Sequence, residues 1–310
     1  MMESNRPATC PGTCDTDATA CTMACGAPTL AATIDHWRRE ATFGHWNTGR
    51  YDCRYFVWGE GPPLVFIHGL ADRACSFVPV IALLRSQFRC VAYELPGGLD
   101  DGARIGSYRH DDFRLDLLAL ADYLGLRQAY LFGSSFGSTI ALAALLTHPA
   151  QFPRCVLQGG FASRPLSPWE RRISQFLRYR RGRLQDLWLR RRMQKYVDRT
   201  ERAVFRRLGL DAEWKFLETN SGESSCADAA RRALLLNQFD LRKQLGVIRQ
   251  PILLIGGECD SIVPPRCDQE LLESLPNAAR VDVPDCGHYP QYTHSGLVAE
   301  LIRQFLTRPE

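Results

Sequence analysis

A glycine-flanked serine near the middle of the chain places the tightest constraint on how this sequence can fold. Residues 133–137 read Gly-Ser-Ser-Phe-Gly, with Ser135 at the centre. An apolar run at 129–132 precedes them and another at 138–146 follows, so the sequence predicts a buried strand, a sharp turn and a helix. Such a turn strains the backbone of its central residue and leaves almost no room for side chains two positions away. This pattern is typical of a serine nucleophile.

Strand and helix signals alternate along most of the chain. We predict strands at 51–58, 63–67, 90–93, 129–132, 155–157, 251–255 and 280–283. We predict helices at 77–84, 112–124, 138–146, 269–275 and 296–306. Because several strands are continuous apolar runs, the sequence predicts an α/β fold with a mostly parallel sheet covered by helices on both faces. We place this core at 51–162 and 246–310.

The alternation stops between residues 163 and 245, where we predict an inserted all-helical cap. Apolar positions there fall on helical stripes, one at 173, 176, 177, 184, 187 and 188 and another at 189, 193, 196 and 197, which we interpret as packing surfaces. The segment contains 20 Lys and Arg against 10 Asp and Glu, although the whole chain has a net charge of only +4. The cap is therefore basic and the remainder acidic.

Residues 1–50 are predicted to be a tail that is partly disordered. Four of the chain's 12 cysteines lie in it, Cys10, Cys14, Cys21 and Cys25, and their spacing fits a disordered tail better than a structural zinc site. Most of the other cysteines, such as Cys53, Cys90 and Cys155, are expected to be small buried thiols. We expect the same of Cys259 and Cys286, although a redox switch between these two is an alternative. With no signal peptide and no stretch that could cross a bilayer, we expect a cytoplasmic protein.

Two loops downstream of Ser135 can supply the groups that a serine nucleophile needs. An imidazole must accept its proton, and a carboxylate must orient that imidazole. Asp260 lies in the loop after the strand at 251–255, and His288 lies in the loop after the strand at 280–283. Both loops leave the carboxyl ends of parallel strands, where Ser135 also lies. We predict Asp260 and His288 as the partners, with Glu258 and His294 as weaker candidates.

The loop after the first buried strand can help to stabilise a developing oxyanion. It reads Ile67-His68-Gly69-Leu70. We expect the backbone N–H groups of Leu70 and Phe136 to be the oxyanion donors. For His68 we expect a structural role in holding this loop.

Taken in order, these motifs resemble those of the α/β-hydrolase-fold serine hydrolases, which include esterases and lipases with a helical cap. The resemblance covers about residues 51 to 310 and implies a triad of Ser135, His288 and Asp260. The sequence departs from many members after Glu94-Leu95-Pro96-Gly97, where Gly98-Leu99-Asp100-Asp101 replaces a His-Gly-x-Ser loop. The serine in the turn argues against the related dehalogenases and epoxide hydrolases, which use an aspartate nucleophile.

The sequence therefore predicts a hydrolase that cleaves a carboxylic ester or related acyl substrate without a metal or organic cofactor. A thioesterase or a carbon-carbon bond hydrolase would use the same residues, and a non-catalytic ligand-binding protein could keep the same fold. The expected partner is a small acyl substrate and not nucleic acid. Arginines of the cap could bind an acidic group or a membrane surface, but we expect a solvated face. The sequence does not predict the acyl group or the oligomeric state.

Overall fold

The computed structural model describes residues 28–97, 101–103, 105–180, 182–186 and 200–308. Its centre is a sheet of eight strands. The strands are β1 (Thr42–Asn47), β2 (Asp52–Trp58), β3 (Pro63–Ile67), β4 (Arg89–Tyr93), β5 (Tyr130–Ser134), β6 (Cys155–Gln158), β7 (Ile252–Gly257) and β8 (Ala278–Val283). Their order across the sheet is β1-β2-β4-β3-β5-β6-β7-β8.

The sheet is parallel from β4 to β8, and only β1 and β2 introduce antiparallel pairs. Near the carboxyl ends of the central strands, Ile67 of β3 pairs with Gly133 of β5, which pairs with Leu157 of β6. The loops that follow β3, β5, β6, β7 and β8 therefore leave the same edge of the sheet. This confirms the predicted α/β class with a mostly parallel sheet.

Helices cover both faces of the sheet and also form the segment between β6 and β7. The helices of the core are α1 (Leu30–Glu40), α2 (Val78–Leu84), α3 (His110–Tyr123), α4 (Phe136–Thr147), α9 (Pro265–Ser274), α10 (Pro290–Thr293) and α11 (Ser295–Leu306). Between β6 and β7 lie α5 (Pro168–Leu177), α6 (described at 200–207), α7 (Asp211–Gly222) and α8 (Cys226–Leu235).

Successive residues of the central strands enter two different hydrophobic clusters. In β3, Val65 and Ile67 pack on the face covered by α3 and α4, whereas Leu64 and Phe66 pack on the face covered by α2 and α11. All four side chains are almost completely buried. Because side chains alternate across a strand, burial on both faces requires an uninterrupted apolar run, as the sequence has here.

The sheet begins earlier in the chain than predicted, because part of the expected tail is folded. Residues 30–40 form α1 and residues 42–47 form β1, which pairs with β2 as an antiparallel edge strand. Trp37 packs α1 against this edge of the sheet, because the centre of its ring lies 5.1 Å from that of Phe43 in β1 and 5.2 Å from that of Phe56 in β2. The predicted boundary at residue 50 is therefore wrong. The four tail cysteines lie outside the described residues.

We call residues 163–245 the helical insertion. Its described part contains α5 to α8, short 3-10 turns and one isolated bridge between Arg183 and Ser225. Leu177 is buried against neighbouring helices, but Phe176 is 56% exposed, so the predicted packing stripe is wrong at that position. The predicted stripe positions from 187 to 197 lie outside the described residues. Within the described ranges, no helix has both the length and the hydropathy needed to cross a bilayer.

Two glycines allow α4 to begin directly after β5. A Cβ on Gly137 would lie 2.1 Å from the carbonyl oxygen of Ile67, and a Cβ on Gly133 would lie 2.8 Å from the Gly137 carbonyl oxygen. Both contacts are with backbone atoms, which cannot move aside easily. The first turn of α4 therefore packs directly on the end of β3, as the glycine spacing predicts.

Replacing Gly137 with alanine should destabilise the protein by about 1–3 kcal/mol or more, because the new methyl group overlaps the β3 backbone. Urea unfolding of both proteins measures the difference. Gly296→Ala is the matched control, because no atom lies within 4 Å of that Cβ position in the first turn of α11. It should leave stability unchanged or raise it by up to about 1 kcal/mol. Equal stabilities of the two variants would contradict this packing account.

Candidate active site

Ser135 occupies the turn between β5 and α4 in a strained conformation. Its φ is 51° and its ψ is −115°, and among the described residues only Asp285 shares a positive φ without being glycine. Its N–H donates to the carbonyl of Gln158 on β6 (2.8 Å), and its carbonyl accepts hydrogen bonds from Ser138. These bonds hold a conformation that costs on the order of 1–3 kcal/mol. Such strain is characteristic of an exposed nucleophile at a strand-to-helix turn.

Asp260 and His288 form a buried hydrogen-bonded pair. The Nδ1 of His288 lies 2.7 Å from Oδ2 of Asp260, and both side chains are more than nine-tenths buried. Oδ1 of Asp260 accepts hydrogen bonds from the N–H groups of Ile262 (2.8 Å) and Val263 (2.9 Å). The structure thus brings together the two residues that the sequence predicted as imidazole and orienting carboxylate.

The environment of this pair favours its charged forms. Burial alone would raise the pKa of Asp260, but attraction to His288 and the hydrogen bonds it accepts hold that pKa below its usual value. Burial would lower the pKa of His288, but the Asp260 carboxylate and, more weakly, Glu201 raise it. An imidazole with this environment is well suited to accept and hold a proton.

The pair and Ser135 lie on the same edge of the sheet. Gly159, directly after β6, has a φ of 54°, and a Cβ there would lie 2.8 Å from Cε1 of His288. Among the described contacts no hydrogen bond joins Ser135 to His288. Bonds between nucleophile and base are often long until substrate is bound. The Ser135 N–H bonds to Gln158 at the end of β6, and Gly159, the next residue, lies against His288. The Ser135 hydroxyl and the His288 imidazole are therefore carried by neighbouring loops.

Two backbone N–H groups beside Ser135 are available to a ligand. Phe136 is the first residue of α4, so its N–H has no partner within the helix. The loop after β3 also reaches this point, because a Cβ on Gly69 would lie 3.5 Å from Cβ of Ser135. The N–H of Leu70 makes no backbone hydrogen bond among the described residues. Leu70 and Phe136, the predicted oxyanion donors, therefore line the same cavity as Ser135.

His68 holds the loop from below. It is 1% exposed, and its Nε2 accepts a hydrogen bond from the N–H of Leu95 (2.9 Å), which leaves Nδ1 to donate to the Gly69 carbonyl (2.8 Å). Burial lowers its pKa to about 3, so the ring is neutral at physiological pH. These contacts agree with the structural role expected for His68.

A mainly apolar cavity of about 320 Å³ opens above Ser135. Its lining includes Leu70 and Phe136, residues 262–263 after β7, and many side chains of the helical insertion. Within the insertion, α5 contributes bulky side chains and α8 contributes small ones. The bulky residues are Trp169, Ile173 and Leu177, and the small ones are Cys226, Ala229, Ala230 and Ala233.

A family model described as the alpha/beta hydrolase fold matches residues 62–295. The chain belongs to this family. A 2-hydroxy-6-oxononadienedioate/2-hydroxy-6-oxononatrienedioate hydrolase of Pseudomonas putida is 28% identical over 80% of this chain and 89% of its own length. The pimeloyl-[acyl-carrier protein] methyl ester esterase of Nitrosomonas europaea is 29% identical over 75% of this chain and 90% of its own length.

Solved structures of similar fold include a thermophilic esterase from Thermogutta terrifontis. It superposes with a TM-score of 0.74 and 21% sequence identity, covering 86% of this chain and 98% of the esterase. At this identity the likeness concerns the fold. The names of these relatives give different substrates, so membership of the family makes this protein a hydrolase without defining its substrate.

Glu201 of α6 is a buried carboxylate beside the histidine of this hydrolase, and the sequence analysis did not select it. It is 0% exposed, and its Oε2 accepts a hydrogen bond from the His288 N–H (2.9 Å) while Ser261 donates to Oε1 (3.2 Å). Gly287 leaves space for it, since a Cβ there would lie 2.0 Å from Oε2. The helical insertion thus holds the loop that carries His288.

Arg232 of α8 makes a corresponding contact with the loop after β3. Its guanidinium donates to the carbonyl of Leu70 (2.9 Å), and the residue is only 3% exposed. Asp228, one turn earlier, provides the first of several nearby carboxylates that offset the cost of burying this charge. This buried arginine therefore attaches the loop after β3 to the helical insertion at Leu70.

The weaker candidates for the carboxylate and the imidazole, Glu258 and His294, lie outside the Asp260–His288 pair. Glu258 is exposed, and the carboxylate that pairs with His288 is that of Asp260. His294 bonds Thr293 through Nδ1 and does not contact Asp260. Cys286 is buried, which raises its pKa to about 12, but Cys259 is exposed, so the expectation of two buried thiols is wrong for Cys259.

Replacing Glu201 with glutamine should move the acid limb of the pH profile of kcat/KM to lower pH. The Glu201 carboxylate and Asp260 raise the pKa of His288, whereas Arg164 lowers it. Removing one negative charge therefore lowers that pKa, and the unprotonated base persists to lower pH. The glutamine oxygen can still accept the His288 N–H. Glu258→Gln is the matched control and should leave the limb in place; an unmoved limb in the Glu201 variant would exclude this electrostatic role.

Proposed function

We propose that this protein is a serine hydrolase that cleaves a carboxylic ester or related acyl substrate through an acyl-enzyme. The observation that carries the proposal is the strained Ser135 turn at the same sheet edge as the buried Asp260–His288 pair, which is joined at 2.7 Å. A strained serine with an oriented imidazole nearby is the arrangement that nucleophilic acyl transfer requires.

In the proposed reaction, Ser135 Oγ attacks the substrate carbonyl carbon while Nε2 of His288 takes the hydroxyl proton. The carbonyl oxygen becomes an oxyanion, which the N–H groups of Leu70 and Phe136 stabilise; each such donor contributes about 10²- to 10³-fold in rate. When the tetrahedral intermediate collapses, His288 gives its proton to the leaving alkoxide. Water then attacks the acyl-enzyme by the same route and releases the acid.

The cavity favours an ester over the doubly charged substrates that its nonadienedioate relative is named for. A dicarboxylate requires compensating cations when it leaves water. Among the described lining residues only Arg164 is cationic, and it already donates to Glu170 (3.0 Å) and to the Ile262 carbonyl (3.3 Å). The methyl ester esterase relative is consistent with this proposal.

Carbon-carbon bond hydrolysis is the second candidate, because the same triad residues and the nonadienedioate relative favour it.

Two substitutions test the proposed roles. Ser135→Ala should abolish covalent labelling by a fluorophosphonate probe and lower kcat for a short-chain aryl ester by a factor on the order of 10⁶. Asp260→Asn should lower kcat by about 10⁴-fold, because the amide holds the imidazole in the wrong tautomer. Steady-state kinetics measure the change in kcat, and intact-mass spectrometry measures covalent labelling.

Ser134→Ala is the matched control for labelling, because that hydroxyl faces Gln158 (3.1 Å) and not the cavity. It should still be labelled at Ser135. A wild-type protein that is neither labelled nor active on short-chain esters would contradict the proposal and favour a ligand-binding protein. Activity on a dienoate diketone without ester cleavage would favour the carbon-carbon candidate.

The small side chains of α8 should set how long an acyl chain the cavity accepts. Ala230 is 5% exposed and lines the cavity together with Ile173 and Trp169. Ala230→Leu fills part of this space, so kcat/KM for an octanoyl ester should fall about 10-fold or more relative to that for an acetyl ester, since one or two lost methylene contacts account for such a factor. Ala227→Leu lies on the same helix away from the cavity and should leave the ratio unchanged. An unchanged ratio in both variants would contradict the assignment of this wall.

A further inference from the structure

Large aromatic side chains are exposed on the outer surface of α5 and on the turn that follows it. Trp169 is 69% exposed, Phe176 is 56% exposed and Tyr179 is 73% exposed. Their spacing of seven and three residues places them along one side of α5 and the turn that follows it. Single exposed apolar side chains are common, but three large exposed rings on one short helix and the turn after it form a surface that requires explanation.

Four arginines lie on the same stretch of chain as these rings. Arg171, Arg172 and Arg180 are exposed and Arg178 is half-buried, and none of these four forms an ion pair with a carboxylate of the described residues. The guanidinium of Arg178 lies 4.6 Å from the centre of the Tyr179 ring, and that of Arg180 lies 4.8 Å from the Phe176 ring. The surface therefore combines uncompensated positive charge with exposed aromatic rings.

The same helix forms a wall of the candidate active site. Trp169 is both largely exposed and part of the cavity lining, and Ile173 and Leu177 line the cavity from the inner side of α5. Trp169 thus belongs both to the exposed surface of α5 and to the lining of the cavity above Ser135. A molecule bound to the outer surface of α5 would lie at the entrance of the cavity.

We propose that the outer surface of α5, formed by residues 169–180, docks on an anionic lipid surface. This inference goes beyond the proposed reaction and concerns where the protein acts. Trp and Tyr rings are favoured at the boundary between lipid and water, because one end of each is apolar and the other can stay hydrated. Arginines beside them would contact anionic headgroups, an attraction that weakens as salt increases.

The chemistry of the surface distinguishes this partner from two others. An acidic protein would be recognised by the arginines but would not require three exposed rings, two of which, Trp169 and Tyr179, also carry a polar group. A second copy of this chain would place the same four arginines against themselves, because a two-fold interface juxtaposes identical patches. A lipid surface satisfies both the rings and the charge.

The test is co-sedimentation of the full chain with vesicles of phosphatidylcholine alone or with a third of phosphatidylglycerol. Wild-type protein should bind the anionic vesicles at least fivefold more tightly than the neutral ones, and less tightly as salt rises. Phe176→Ser with Tyr179→Ser, and separately Arg171→Gln with Arg172→Gln, should each weaken binding to anionic vesicles by about tenfold or more. Circular dichroism and melting temperature verify that each variant is folded.

Matched controls remove similar groups elsewhere on the surface. Val247 is 68% exposed and Leu83 is 43% exposed, and their replacement by serine should not change binding. Arg127→Gln with Arg266→Gln removes the same charge from exposed sites far from α5 in sequence and should have at most a small effect. Equal loss in control and α5 variants would overturn the proposal, because binding would then reflect net charge alone.

Two further outcomes would also overturn it. Wild-type protein that binds neither type of vesicle has no lipid-docking surface, whether or not it hydrolyses esters. A concentration-dependent dimer that the Phe176 and Tyr179 replacements dissociate would assign the surface to a second copy. Because vesicle binding does not require turnover, the Ser135→Ala variant should bind as wild type does, which separates this test from that of the reaction.

Discussion

The close contact between the start of α4 and the end of β3 determines where the candidate catalytic groups lie. Gly137 lets the helix approach the Ile67 carbonyl so closely that no Cβ could be accommodated. As a result Ser135 is held at a positive φ, and the Phe136 N–H points out of a helix start beside the loop that carries Leu70. One steric constraint thus places a hydroxyl and two potential oxyanion donors around the same small space.

The helical insertion stabilises this arrangement from above. Glu201 binds the backbone of His288, and Arg232 binds the backbone of Leu70, so the two loops on either side of Ser135 are each attached to a helix of the insertion. Both charged side chains are buried, where a hydrogen bond to a charged group is strong and its loss is costly. Movement of the insertion would therefore change the position of the imidazole and of the oxyanion donors together.

Local patterns explain which parts of the structure could be predicted from the sequence. The strands β3, β5 and β7 could be predicted because they are apolar runs buried on both faces of the sheet. The turn at Ser135 could be predicted because its close packing requires the flanking glycines. β1 was not, because an edge strand such as Thr42–Asn47 is half-exposed and has no apolar run. The roles of Glu201 and Arg232 depend on side chains that meet residues 87 and 162 positions away, which no local pattern records.

The most direct test of this account is a crystal structure of the protein after reaction with an alkyl phosphonate ester, which mimics the tetrahedral intermediate. We expect phosphorus bonded to Ser135 Oγ and one phosphonyl oxygen within hydrogen-bonding distance of the Leu70 and Phe136 N–H groups. Nε2 of His288 should face the leaving-group side while Nδ1 keeps its bond to Asp260. An adduct on another residue, or a phosphonyl oxygen directed away from both N–H groups, would contradict the account.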